Sequence, residues 1–154
     1  MGKENKNYEI DRISFEMGMI NCFVEMVANG VKKLALSPPI TPEDYDIICS
    51  LSENIVTGFG INSYLEKSLL VTDLQTEDFT KGKWSILYYD KDEVLDKYFE
   101  MKKKKQILQD SGKYDKKARQ NLSAQFMRLL SYPEEKINKI LAREKPESPY
   151  MLEL

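Results

Sequence analysis

The stretch that decides the fold is GVKKLALSPPITPEDYD, residues 30–46. It sets a short apolar run, two prolines and an acid-rich helix start back to back. Gly30 suits the left-handed position that closes a helix. The run that follows is short and is stopped by Pro38-Pro39, and a residue before proline avoids helical dihedrals, so it reads as a strand near 31–37. Thr41 fits a helix N-cap and Pro42 the first helical position. Glu43 and Asp44 then meet the positive end of the helix dipole. The order is strand, tight loop, helix. The competing reading continues the preceding helix through Leu36 and yields an all-α fold.

Upstream, residues 8–29 read as one long helix. Ile10, Ile13, Met17, Ile20, Val24, Val27 and Ala28 fall on one side of the wheel, and Phe15, Met19, Cys22, Phe23 and Met26 on the other. Ser14, Gly18, Asn21 and Glu25 form a narrow polar strip between them. A surface helix carries one apolar stripe. Two stripes predict a central helix, or one that packs on its own domain with one side and on a second copy with the other. A homo-oligomer, most simply a homodimer, is the expectation.

Downstream, the helix opened by Pro42 carries Ile47, Ile48, Leu51, Ile55 and Val56 and ends at Gly58 and Gly60. INSYLEKSLLVTD (61–73) and KWSILYY (83–89) look extended, with strands near 63–73 and 83–89 and LQTEDFTKG as a long hairpin loop between them. A right-handed crossover makes the first two strands parallel neighbours, and the hairpin makes the second and third antiparallel. Asp90-Lys91-Asp92-Glu93 predicts a capping-box helix start, and Ser111-Gly112 a break. Residues 115–131 place Ala118, Leu122, Phe126, Leu129 and Leu130 on one face. Pro133-Glu134-Glu135 opens a last helix to about Arg143. The expected fold is α/β in the α+β sense, a small three-stranded mixed sheet covered by about five helices. Residues 1–154 form one domain, with 1–7 mobile and an irregular tail at 145–154. The tail's Tyr150, Met151, Leu152 and Leu154 are apolar enough to dock on something.

Composition narrows the chemistry. The chain has 154 residues, 42% hydrophobic and 31% charged, which is globular composition. Its 23 basic and 25 acidic residues nearly cancel, which argues against a dedicated nucleic-acid binder. The opening MGKENKNYEI is polar and misses the myristoylation pattern at its sixth position, and no apolar run is long enough for a membrane span. The expectation is a cytoplasmic protein with no membrane partner. Cys22 and Cys49 sit among apolar helix neighbours without CxxC spacing, so they read as reduced, buried thiols rather than a disulfide. The chain has no histidine, which removes Ser-His-Asp and Cys-His catalysis and most zinc and non-haem iron sites. No GxGxxG or P-loop names a cofactor.

Four constellations remain. If the first two strands are parallel, Ser37, Thr72 and Asp73 emerge at one sheet edge beside Thr41 and the helix start. The third strand brings Lys83 there, and the hairpin loop adds Glu77, Asp78 and Lys81. Such an edge could hold a small molecule or a hard cation, with Asp73 as base or ligand. The bland alternative is that these residues only cap helices and solvate turns. The strip of Ser14, Asn21 and Glu25 is either a buried polar site or a solvent-facing helix edge. Lys102-Lys103-Lys104-Lys105 could meet an anionic surface, but four consecutive lysines point to all sides of a helix and suit its carboxyl end. Trp84, Tyr88 and Tyr89 could stack bases on a sheet, yet no RNP-type motif surrounds them, and core packing is the expectation. The leading expectation is a non-catalytic binding or assembly protein. The alternative is a small-ligand or metal-dependent enzyme using carboxylates near Ser37 and Asp73.

Overall fold

Leu34, Ala35 and Leu36 are extended, as the opening stretch predicts. In the computed structural model, which describes residues 8–144 and 146–147, β1 (Leu34–Leu36) follows α1 (Arg12–Ala28). A 3-10 turn (Pro42–Asp44) then runs into α2 (Tyr45–Phe59). β2 (Asn62–Glu66), the short α3 (Glu77–Thr80), β3 (Ser85–Tyr89), α4 (Asp92–Asp110), α5 (Lys116–Leu129) and α6 (Glu134–Leu141) complete the order. The architecture is α+β: a three-stranded sheet and six α-helices among the described residues. The helix beyond the five expected is α3, inside the connection from β2 to β3. The expectations for residues 1–7 and for most of the tail (145 and 148–154) lie outside the described residues.

The strand order is β1-β3-β2, and β3 is antiparallel to both neighbours. Leu36 lies opposite Leu87, and Tyr64 opposite Leu87 from the other side. This corrects the mixed sheet. β1 and β2 do run in the same direction, but β3 lies between them and no parallel pair forms. The reason is burial. All five residues of β3 are buried, and only a central strand is covered on both faces and both edges.

Side-chain alternation along the strands separates two layers. Ala35, Ile86 and Tyr88 face α1 and α2 and pack with Ile20, Val24, Val27, Ile48 and Val56. Leu34, Leu87 and Tyr89 face α4 and α5 and pack with Tyr98, Leu122 and Phe126. Ile137 and Ile140 of α6 close the far side of α5 against Ala124 and Met127. Tyr88 and Tyr89 are therefore core residues. Trp84 is half-buried, edge-on to Tyr45 with ring centroids 4.6 Å apart. Each large apolar side chain buried this way contributes about 1.5–3 kcal/mol.

Several boundaries shift. The second strand stops at Glu66 rather than at 73, because side chains of α4 take up the backbone groups that follow it, as described below. The nine-residue hairpin loop is accordingly part of a longer connection from Lys67 to Trp84 that contains α3. α4 has Lys91 at its N-cap with no side-chain capping bond, so Asp92 and Glu93 act as first-turn charges, not as a capping box. True side-chain caps occur at Asp11, which accepts from the Ser14 amide at 2.8 Å, and at Asp115, which accepts from the Ala118 amide at 2.8 Å. α2 ends where expected, with Gly60 left-handed at φ 70°.

Candidate functional site

The carboxyl ends of β1 and β2 and the start of β3 share one rim of the sheet. Ser37 sits there, buried, and it is part of the ladder. Its amide donates to the Ile86 carbonyl at 2.8 Å, and its hydroxyl accepts the Ile86 amide at 2.9 Å and donates to the Pro38 carbonyl at 2.9 Å. The hydroxyl thus serves the strand just where Pro38 bends the chain away. Ile40 and Trp84 extend the pairing by one bridge, exchanging bonds of 2.7 and 2.9 Å. Lys67 lies over the Trp84 ring, 4.9 Å from its centroid.

The other candidates of that edge disperse. Thr41 donates to Asp44 at 3.1 Å, and Asp44 also pairs with Arg12, tying α1 to the start of α2. The Arg12 guanidinium holds the Asp44 carboxyl below its ordinary value. Thr72 is buried and accepts the Leu74 amide at 3.2 Å. Asp73 turns toward α5, where Arg119 meets one carboxylate oxygen at 3.0 Å and the Ser123 hydroxyl the other at 3.2 Å. The Asp73 amide donates to that same hydroxyl at 2.9 Å. Asp78 is exposed in the first turn of α3 with Glu77. Lys83 is half-buried, its amide closing the turn after α3 on the Thr80 carbonyl at 3.0 Å. Ser37 and Asp73 line separate cavities of about 230 and 760 Å³. Lys116, Arg119 and Arg143 share the walls of the second.

On α1, Ser14, Gly18, Asn21 and Glu25 are all exposed, so the polar strip faces solvent. The buried stripe is Ile20, Val24 and Val27. The second apolar flank is only partly covered: Phe15, Met19 and Phe23 are half-buried, while Cys22 and Met26 are exposed. The cysteines are free, as expected, but not buried: Cys22 is on this open flank and Cys49 is half-buried.

The lysine run divides by direction. Lys102 reaches the buried Glu66 carboxylate at 2.8 Å and the Ser68 carbonyl at 2.8 Å, and Lys105 reaches the Val71 carbonyl at 3.1 Å. Tyr98, fully buried, donates to Glu66 at 2.8 Å and accepts the Leu70 amide at 3.1 Å. Glu66 also accepts the Ser68 amide at 2.9 Å. Burial pushes the Tyr98 hydroxyl far above its ordinary range and pulls the Lys105 ammonium down. One face of α4 thus pairs three backbone groups of the segment after β2, the Ser68 and Val71 carbonyls and the Leu70 amide. From the sequence, Lys102 and Lys105 stand out only as part of a basic run, and Glu66 and Tyr98 do not stand out. The available signal was the spacing: Tyr98, Lys102 and Lys105 stand four and three residues apart, on one face of the helix. Lys103 and Lys104 remain exposed. Lys104 joins Lys33, Lys97 and Arg128 around a groove of about 430 Å³, where Arg128 is already paired with Glu134.

Among the described residues no cluster of three histidine, cysteine, aspartate or glutamate side chains is placed to hold a metal ion. No described helix is long and apolar enough to cross a membrane. Comparison with family models, with curated proteins and with solved structures finds no match.

Proposed function

We propose that this chain is a non-catalytic binding and assembly protein that self-associates through α1 as a homodimer. One observation carries the reading: after both layers are packed, an apolar flank of α1 stays open. Met26 is 39% exposed, whereas Ile20 and Val24 on the opposite flank are fully buried. Cys22 and Met26 stand one helical turn apart, with Met19 and Phe15 continuing the flank toward the amino end. A two-fold axis would set this flank against its own copy and cover it. The polar candidates favour binding over catalysis, because the Ser37 hydroxyl and the Asp73 carboxylate are each engaged within the chain.

Sedimentation equilibrium tests the reading. The expected result is a dimer that Met26→Glu weakens at least about tenfold, or about 1.4 kcal/mol. A wild-type monomer at every concentration up to the millimolar range would overturn it. The alternative, a small-ligand or metal-dependent enzyme using carboxylates near Ser37 and Asp73, draws on the open cavity beside Asp73. A rise in melting temperature with one metal or metabolite, lost in Asp73→Asn, would favour that alternative.

A further inference from the structure

The groove of about 430 Å³ that holds Lys104 lies between α4 and α5. Its α4 wall is Lys97, Glu100, Met101 and Lys104, the spacing of one helical face. Half-buried Met101 and, from α5, buried Leu129 give it an apolar floor. Lys33, just before β1, joins the wall, and its amide is fixed on the Ser131 hydroxyl at 3.0 Å.

The groove gathers positive charge on a chain whose net charge is −2. Lys33, Lys97 and Lys104 are exposed, and none of them forms an ion pair with a described carboxylate. Glu100 is the one carboxylate among the lining residues. Arg128 is taken, two of its guanidinium nitrogens meeting Glu134 at 2.6 and 3.1 Å. Ammonium groups held around one groove repel each other, and an anion set among them relieves that repulsion.

The lining narrows the anion. A lone phosphate is met best by an arginine fork or a helix N-terminus. Here the arginine is engaged, Lys97 to Lys104 lie in the middle of α4, and Arg128 and Leu129 lie at the carboxyl end of α5. No aromatic side chain lines the groove to stack a base. What remains is three point charges over an apolar floor. Lys97 to Lys104 covers two helical turns, about 10 Å. That suits carboxylates spread along a peptide with an apolar side chain between them, resting on Met101, whose flexible thioether adapts to varied partners.

We infer that this groove docks an acidic amphipathic segment of a different protein, with carboxylates at Lys33, Lys97 and Lys104 and an apolar side chain against Met101 and Leu129. No residue of α1 lines the groove, so the inference does not rest on self-association through Met26.

The probe is a fluorescein-labelled peptide, Glu-Leu-Glu-Glu-Ala-Leu-Glu written twice, titrated with the full-length chain and read by anisotropy. Amide shifts of the isotope-enriched chain map the contact. The expected result is saturable binding that weakens with salt and shifts the Lys97, Met101, Lys104 and Leu129 amides. The double variant Lys97→Glu, Lys104→Glu should bind at least about tenfold more weakly. Lys103→Glu makes the same charge change outside the groove and should stay within about threefold of wild type at physiological salt, as should Met26→Glu. No binding, equal weakening by Lys103→Glu, lost binding in Met26→Glu, or equal binding of a peptide with glutamine for glutamate overturns the inference. Tighter binding of single-stranded RNA at the same amides overturns it too, since the occupant is then a nucleic acid. So does weaker self-association of the Lys97→Glu, Lys104→Glu chain, since the occupant is then a second copy.

Discussion

The two sides of the sheet are held by different physics. The side facing α1 and α2 packs apolar side chains around a buried hydroxyl pair, Ser52 and Tyr88, 2.7 Å apart. The side facing α4 and α5 is also apolar at its centre, but its margin carries a buried carboxylate, a buried tyrosine and two lysines that bind backbone carbonyls. The difference follows from what each side must cover. On the first side the strands and helices pair most of their own backbone, with the Ser37 hydroxyl taking the Ile86 amide where Pro38 bends the chain away. On the second, the segment after Glu66 crosses the end of α4 with no strand beside it, and its peptide groups must be paired by side chains. Glu66 is the hub, its side chain 6% exposed and bound by the Tyr98 hydroxyl, the Lys102 ammonium and the Ser68 amide.

Removing the cation from that hub should have the largest effect. Lys102→Met keeps most of the aliphatic stem but leaves a buried carboxylate without its counter-charge and the Ser68 carbonyl without a donor. The expected loss is about 3 kcal/mol, read from chemical denaturation at neutral pH. A loss below about 1 kcal/mol would mean that water reaches Glu66 and that the two sides of the sheet are more alike than their contacts indicate.

A smaller contrast comes from the two buried tyrosines. Tyr98→Phe breaks one bond to a carboxylate and one to a backbone amide, while Tyr88→Phe breaks a single bond to a neutral hydroxyl. The first should cost about 2 kcal/mol and the second about 1 kcal/mol. Their pH dependence has the same sign. Burial raises both hydroxyls in the folded chain, so above about pH 10 the unfolded chain ionises first, binds fewer protons, and stability falls as pH rises. Each phenylalanine variant should flatten that fall, measured as the slope of unfolding free energy from pH 9 to 11. Unchanged slopes would show that these hydroxyls ionise as readily folded as unfolded.

These contrasts also show what could be read from the residues alone. β1 was legible because Pro38-Pro39 cut an apolar run too short for a helix, and β3 because SILYY joins aromatic and β-branched types. α1 was legible to within a few residues from its Ile20, Val24 and Val27 spacing. The strand order was not legible. Nothing local says that Leu36 and Tyr64 lie on opposite sides of Leu87, since pairing is decided by which strand gains most from being covered twice. Leu69, Leu70 and Val71 have strand-like character, so the sequence predicts a strand running past Glu66, where β2 ends. What ends the strand is a set of polar side chains on a helix 28 to 36 residues away. The candidate edge suffered for the same reason: it followed from extending that strand to Asp73, and the chain instead carries Asp73 to Arg119 and Ser123.

The smallest effect is the sharpest test of the contrast, because it lies within four neighbouring residues. Lys103 stands beside Lys102 on α4, has the same side chain, and is exposed. If the run acts as a basic surface, the two lysines are interchangeable. If direction decides, Lys103→Ala should change the unfolding free energy by no more than about 0.5 kcal/mol, in either direction, beside the loss expected for Lys102→Met. Alanine also has the higher helix propensity, so a slight gain is compatible with the argument. Equal losses at both positions would remove the distinction between inward and outward lysines, and with it the account of why the chain leaves the sheet after Glu66.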